Sequence, residues 1–436
     1  MSFLRAIPFL LASLTLLPAQ ATEITEVTSP LGITAWLVED HSLPFVALNL
    51  AFKGGASLDA PETRGAINLM THTLEEGARD MDATGFATAT EALGADISFD
   101  VGDDALTVSA RMLSENRDAA ADLIAAALGE PRFDADAVAR VKGQVMVSIR
   151  AEDTDPNAIA RKALAHAVWG DHPYGSSING TAETVGPLTP DDMFAAKARV
   201  IARDRVLIGA AGDITPGELG LLVDKLLAEL PETGTVPLPD MASFTGTAMT
   251  QVIDWDSPQT VVSFALPGMD MDDPDYFAAF LANHILGGGG FSSRLMNEIR
   301  EKRGLTYGVY TSLVNGVYGP SWMGGMSSSN VSVAEGVALL REELARMGED
   351  GVTETELADA KTYLTGEYPL RWDGNSKIAG ILTGMQLIGL PIDYPDKRSA
   401  LIEAVTAEDV ARVARERLGP ERLNILLVGR PDGVLQ

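Results

Sequence analysis

The second half of this 436-residue chain repeats the first. Thr189-Pro-Asp-Asp-Met-Phe194 and Thr406-Ala-Glu-Asp-Val-Ala411 lie 217 residues apart. Gly212 and Gly429, each closing an apolar run, keep the same spacing of 217. The segments 133–142 and 352–361 align at 219, and Gly77 and Gly287 at 210. Any one match is weak. Near-constant offsets across several elements imply duplication of one α+β unit of about 200 residues. The expected layout is two tandem halves, 22–230 and 250–436, joined at a linker over 231–249. That linker carries Pro231, Gly234, Pro237, Pro239 and Gly246 without helical periodicity.

The pattern of each half is mixed. A hairpin is expected over 23–39, a strand over 45–52, and a helix over 65–77, where Ile67, Met70, Leu74 and Ala78 recur at helical spacing. A helix capped by Thr84 over 84–93 and paired strands over 95–100 and 105–110 follow. Helices are expected over 116–128, from Asp134 to about 151, over 157–168, and after the Thr189-Pro190 and Thr215 starts. A strand over 205–211 closes the half. The second half reads as strands over 253–266, helices over 274–286 and 291–303, and strands over 307–314 and 321–327. Helices over 331–347, 354–368 and 406–418 and a strand over 423–428 complete it.

Composition narrows the function. A formal charge of −28 argues against nucleic acid or an anionic membrane as partner. With no cysteine, neither a disulfide nor a thiolate metal site can form. Residues 1–21 read as a secretory signal: a positive start ending at Arg5, a mostly apolar run over 6–17, and a small-x-small cleavage pattern ending at Ala21. No cysteine follows it to carry a lipid anchor, and no later segment approaches about 20 uninterrupted apolar residues. The expectation is a periplasmic protein with no membrane anchor after cleavage.

Two stretches carry the chemistry. In the first, Gly65-Ala-Ile-Asn-Leu-Met-Thr-His-Thr-Leu-Glu-Glu-Gly77, the two glycines are twelve apart. This setting resembles the zinc helix of the insulinase-like (M16) metallopeptidases, Gly-x-x-His-x-x-Glu-His. In that register the first His position holds Asn68, the Glu position Thr71, and only the second His remains, as His72. Zinc needs three protein ligands and an open position, and a nearby Glu takes the proton of the bound water. The family's third ligand is a Glu roughly 75 residues further on, and its counterpart, counted back from Pro156, is Ser148. The resemblance therefore implies a degenerate site at Asn68, Thr71, His72 and Ser148, with no metal held by this chain. A competing register would use His72 and Glu76 as ligands and Glu75 as base, with no evident third ligand.

The second stretch is Gly287-Gly-Gly-Gly-Phe-Ser-Ser-Arg294 running on to Tyr307. It lacks the Gly-Lys-Ser/Thr of a P-loop. It closely resembles the M16 C-terminal signature, in which an Arg and a Tyr seven residues later hold the substrate carbonyl at the zinc site of the opposite half. The matching residues are Arg300 and Tyr307. A guanidinium and a phenol both suit a developing oxyanion.

The resemblance implies an α+β fold of two homologous M16-type halves, each a mainly antiparallel sheet packed with helices, together forming half of a clam-shell chamber. It implies the non-zinc subunit of a periplasmic heterodimeric peptidase. The zinc would reside in a partner M16 subunit with an intact His-x-x-Glu-His motif, and the substrates would be unfolded peptides. The alternatives are a non-catalytic M16-like scaffold and a stand-alone zinc endopeptidase using His72 and Glu76.

Overall fold

The computed structural model describes residues 23–434 except 247. The predicted signal peptide, 1–21, lies outside the described residues. The first half builds strands β1 (Thr25–Thr28), β2 (Thr34–Glu39), β3 (Phe45–Lys53), β6 (Asp96–Val101), β7 (Ala105–Leu113) and β8 (Val206–Gly212), with a separate short hairpin of β4 (Gly77–Ala78) and β5 (Met81–Asp82). The second builds β9 (Met249–Asp254), β10 (Gln259–Pro267), β11 (Thr306–Val314), β12 (Ser321–Ser329) and β13 (Asn424–Gly429).

The two large sheets run β1-β2-β8-β3-β7-β6 and β9-β13-β10-β12-β11. Without β1, the order is the same in both. In each, one pair is parallel, β2 with β8 and β9 with β13, and the rest are antiparallel. The duplication read from spacing is thus a duplication of topology, and the α+β expectation of two matching halves is borne out.

Each sheet buries one face under helices of its own half. Phe52, Leu106, Ile124, Met193 and Leu222 belong to the first core, and Phe264, Leu281, Trp322, Leu340 and Val410 to the second. The opposite faces are covered by exchange. The Pro156–Trp169 helix of the first half lies on β10 and β13, where Ala160, Leu164 and Val168 pack with Val261, Ala265 and Leu426. The Asn375–Leu387 helix of the second half lies on β8 and β3, where Ile378, Leu382 and Met385 pack with Trp36, Val38 and Ala211. The two helices begin 219 residues apart, the offset already seen in the repeat.

Close approach makes the second contact tight. A Cβ on Gly209 would strike the Ala379 carbonyl and lie 2.8 Å from Leu382 Cβ. Thr383 donates its hydroxyl to Asn49 Oδ1, and Gln386 Nε2 donates to the Ile208 carbonyl at 2.9 Å. A further clasp joins the halves at the turns. Asp104 accepts from Tyr174 Oη and from the Val317 N–H at 3.2 Å, while Tyr174 Oη accepts from the Tyr318 N–H at 3.0 Å. The 231–248 stretch is pinned as well, with Ala242 N donating to Tyr318 O and Thr245 N to Val168 O at 2.8 Å.

Several local expectations need correction. The helix expected over 65–77 stops at Thr71, giving Ala66–Thr71. Thr71 and Thr73 turn their hydroxyls back onto the carbonyls of Ile67 and Met70, at 2.8 and 2.7 Å, a pattern that competes with helix propagation. Asp82, not Thr84, caps the next helix, accepting from Gly85 N at 2.8 Å. Asp134 precedes its helix but binds Arg132 Nε at 2.7 Å instead of capping. The helices expected over 274–286 and 291–303 are α-helical only at Tyr276–Asn283. They continue as π-helical turns at His284–Gly288 and Met296–Glu301. The Asn375–Leu387 and Tyr394–Ala404 helices are additional to the sequence reading.

Leu382 is fully buried between the halves. Leu382→Ala is expected to destabilise the fold by roughly 2–4 kcal/mol through lost transfer energy and a residual cavity, read as a lowered urea midpoint. The same truncation at exposed Leu221 should leave the midpoint within error.

Candidate functional site

The zinc-helix positions are in place but committed elsewhere. Asp59 fixes the start of the Ala66–Thr71 helix, accepting from Gly65 N at 2.8 Å and Ile67 N at 3.0 Å. Burial pushes its carboxyl up to about 6. Asn68 is buried, and its Nδ2 donates to Asn179 Oδ1 at 2.9 Å. Asn179 in turn donates to Glu152, which also accepts from Ser177 Oγ at 3.2 Å and pairs with Lys162 at 3.0 Å. Thr71 is fully buried with its hydroxyl on Ile67 O, so it offers no group to a solvent-facing water. Ser148 is exposed on the Ala135–Glu152 helix, its hydroxyl 3.4 Å from Gln144 O. Among the expected positions only His72 is both titratable and exposed.

The competing register fails on geometry. Because the helix ends at Thr71, His72 and Glu76 do not stand one turn apart on a helical face. Glu76 is taken by Arg140, which holds both carboxylate oxygens, one at 2.9 Å. Among the described residues, no three His, Cys, Asp or Glu side chains gather as a metal-holding group. The residues present do not fit zinc, which requires three converging ligands.

The C-terminal signature is built on close packing. Gly287 lets the π-helical turn rest against β11, since a Cβ there would lie 2.6 Å from Thr311 Oγ1 and 2.8 Å from Thr311 N. Arg294 clamps this region to the Glu354–Glu367 helix. Its guanidinium donates to Glu356 at 2.7 and 2.8 Å and to the Gly351 carbonyl at 2.9 Å. Glu356 also closes a capping box, accepting from Thr353 N at 2.8 Å and Thr353 Oγ1 at 2.9 Å. Arg300 lies over the Phe291 ring at 4.6 Å and donates to Glu301 at 2.7 Å.

Tyr307 is 88% exposed. A bulge presents it: Thr306 pairs with Ser328 and Val309 with Met326, so β11 carries an extra residue. Thr306 Oγ1 locks the bulge, donating to Gly308 O or Ser327 O at 2.8 and 2.7 Å and accepting from Gly308 N at 3.1 Å. Tyr307 lines a groove of about 270 Å³ on the open part of the second sheet, together with Tyr310 and Arg161. Arg300 is outside the lining of that groove. Sequence reasoning missed Asp59, Glu152, Asn179 and Arg161. The spacing of Asp59 before Gly65 is a helix-start signal, whereas the other three act across long sequence separations.

Two outcomes follow. Purified alone from zinc-replete medium without a chelating tag, the chain should contain far less than one equivalent of zinc by elemental analysis. His72→Ala should not change that content. The Arg294 clamp and the capping box hold Glu356 down at about 2, the Arg294 bond first among the causes. An unfolded glutamate titrates near about 4.3, so this stabilisation is complete above that pH and is lost as pH falls towards 2. Arg294→Gln should therefore flatten the fall in Tm between about pH 5 and pH 3, measured by thermal scans of both proteins. The effect should be modest because the Glu356 carboxylate is partly exposed.

Comparison with known proteins agrees with the fold. Residues 35–182 match the family described as Insulinase (Peptidase family M16), and residues 187–364 match Peptidase M16 inactive domain. A crystal structure of a peptidase M16 inactive domain from Pseudomonas fluorescens is 31% identical. It superposes with a TM-score of 0.88 over 95% of this chain and 99% of that one. The non-peptidase homolog YmxG of Helicobacter pylori is 26% identical over 372 residues, 85% of this chain and 86% of its own. An uncharacterized zinc protease of Streptomyces coelicolor is 26% identical over 385 residues, 86% of this chain and 83% of its own. By these matches across both halves, the chain belongs to the peptidase M16 family.

Proposed function

We propose that this chain is the non-zinc subunit of a two-chain M16 peptidase, exported to the periplasm and inactive in peptide hydrolysis by itself. The observation that carries the reading is the contrast between its two halves. On the zinc helix, Asn68 and Thr71 spend their polar groups inside the protein. On the second sheet, Tyr307 stands free on its bulge and Arg300 retains 31% side-chain exposure. A partner M16 subunit with an intact His-x-x-Glu-His motif would supply zinc, general base and bound water. This chain would supply Arg300, Tyr307 and part of the wall of a chamber that admits unfolded peptides.

The name of the Helicobacter pylori relative, a non-peptidase homolog, supports loss of hydrolysis in a chain of this type. Among the described residues, no helix is long and apolar enough to cross a membrane. The rival reading is a scaffold that handles no substrate. A chain of Complex III2 from Candida albicans shares the fold at a TM-score of 0.76 and 17% identity, a likeness of architecture alone. Free Tyr307 favours the peptidase subunit, because a scaffold has no need of an exposed phenol there.

The deciding experiment uses the reconstituted complex with its zinc-bearing partner. Arg300→Ala should lower kcat/KM on an unfolded peptide by roughly a hundredfold, the order seen when one oxyanion donor is lost. The complex should still co-elute in size-exclusion chromatography. Turnover equal to wild type would remove Arg300 from the function and favour the scaffold.

A further inference from the structure

The groove beside Tyr307 has a composition unlike the rest of the molecule. The chain holds 61 acidic and 33 basic residues, yet the groove lining contains a guanidinium and no carboxylate. Arg161 is exposed and makes no ion pair among the described residues, although Asp155 at the start of the same helix lies near enough to feel its charge. It stands one turn from Asn157 on the Pro156–Trp169 helix, at the end of that helix which reaches the groove. The helix itself packs on β10 and β13, and beyond it β11 carries the exposed side chains of Tyr310 and Ser312.

This surface is shaped for a ligand. The Tyr310 ring lies over Gly325 of β12, where an added Cβ would be 3.3 Å from Tyr310 Oη and 3.5 Å from Cε1. Glycine at this position lets the ring lie down on the sheet and form a wall. Tyr310 remains 60% exposed and Tyr307 88% exposed. Ser263 and Ser327 belong to the lining as further hydroxyls.

The repeat provides an internal comparison. Anchored on Gly212 and Gly429, the row Ala211–Ala47–Arg111–Asp96 of the first sheet corresponds to the row Val428–Val261–Ser327–Tyr307/Gly308 of the second. In the first half that place is filled by an exposed ion pair, Arg111 with Asp96 at 3.7 Å, which balances its own charge. In the second half the acid is replaced by Tyr307 at the bulge and the base by Ser327. The cation of the groove, Arg161, is delivered by the helix exchanged from the other half. Its own counterpart, 219 residues on, is Gly380, which brings no charge to the first sheet.

We propose that this groove is a carboxylate-binding subsite for the peptide substrate, with Arg161 forming the ion pair and Tyr307 and Tyr310 forming the ring walls and hydroxyl donors. The inference rests on the reading that the chain handles peptides, and it adds a substrate class: peptides bearing a carboxylate at this point. A guanidinium offers a planar donor fork matched to two carboxylate oxygens. The carboxylate is either the peptide's C-terminus or an Asp or Glu side chain.

The test is direct binding to the full mature chain by fluorescence anisotropy. The probes are one neutral, unstructured, fluorescein-labelled peptide in three forms: free C-terminal carboxylate, C-terminal amide, and C-terminal amide with one internal Glu. At least one carboxylate form should bind about tenfold more tightly than the plain amide, the scale of a charge-assisted hydrogen bond. Arg161→Gln should erase that preference and leave the affinity of the plain amide unchanged. Tighter binding of the free C-terminus identifies that source, and tighter binding of the internal-Glu form identifies a side chain; each outcome supports the subsite. Lys225→Gln makes the same charge change on the outer helix layer and should preserve the preference. The proposal is overturned by absence of peptide binding, by equal affinity for the three forms, by a preference that survives Arg161→Gln, or by equal weakening of all three. Because binding is measured without the partner, an ineffective Arg300→Ala would sink the peptidase-subunit reading while leaving a carboxylate preference standing. Loss of the subsite would leave the Arg300 result untouched.

Discussion

The exchange of one helix between the halves is the constraint on which the rest depends. Each half can build its own sheet and cover one face of it with its own helices. The second face of each sheet is apolar where Val261, Ala265 and Leu426 meet Leu164, and where Trp36, Val38 and Ala211 meet Leu382. Neither face is covered unless the other half is folded and in position. Rotation about 231–249 would expose both faces at once, at a cost of roughly 25 cal/mol for each Å² of apolar surface returned to water. The halves are therefore one mechanical body. The groove beside Tyr307 inherits its floor from one half and its cation from the other.

This arrangement explains what the sequence could and could not disclose. Spacing alone revealed the duplication, because Thr189 and Thr406, each with an Asp three residues on, form the same capping box in both halves. Strand identity and the repeat order followed from apolar runs and turns. The Asn375–Leu387 helix was hidden although Ile378, Leu382 and Met385 are at helical spacing. Its interior holds Gly380 and Gly384, which each weaken a helix by about 1 kcal/mol relative to Ala. Burial against β8 outweighs that deficit, and burial is not visible in local propensity. The same holds for Asn68: the sequence places it at a ligand position, while its partner Asn179 lies 111 residues away.

The degenerate zinc helix is a finished structure in its own right. Replacing a ligand in a buried site leaves the surrounding polar groups without partners, and each such group costs about 1–3 kcal/mol. Here Asn68, Asn179 and Glu152 satisfy one another, with Ser177 and Lys162 closing the outer side of Glu152. Positions 68 and 72 keep their one-turn spacing, with His72 N donating to Asn68 O at 3.2 Å, so it is the side chains and not the backbone that have left the zinc pattern. Restoring histidine at a single position would meet a closed hydrogen-bond network, not a vacant coordination sphere.

The two halves share one plan and differ where their equivalent edge strands face the open part of each sheet. On β6 the outward positions are Asp96, Ser98 and Asp100, and Arg111 answers Asp96 from the neighbouring strand. On β11 the outward positions include Tyr310 and Ser312, and the bulge adds Tyr307. A bulge inserts one residue without breaking the ladder on either side, so it re-aims a side chain while the sheet keeps its register. In this chain it places Tyr307 in the groove that Arg161 also lines, and Arg161 is carried on a helix belonging to the other half. The polarity of the second sheet's open face is thus set by two features that simple repetition of the first half would not produce: one extra residue in an edge strand, and one cation on an exchanged helix.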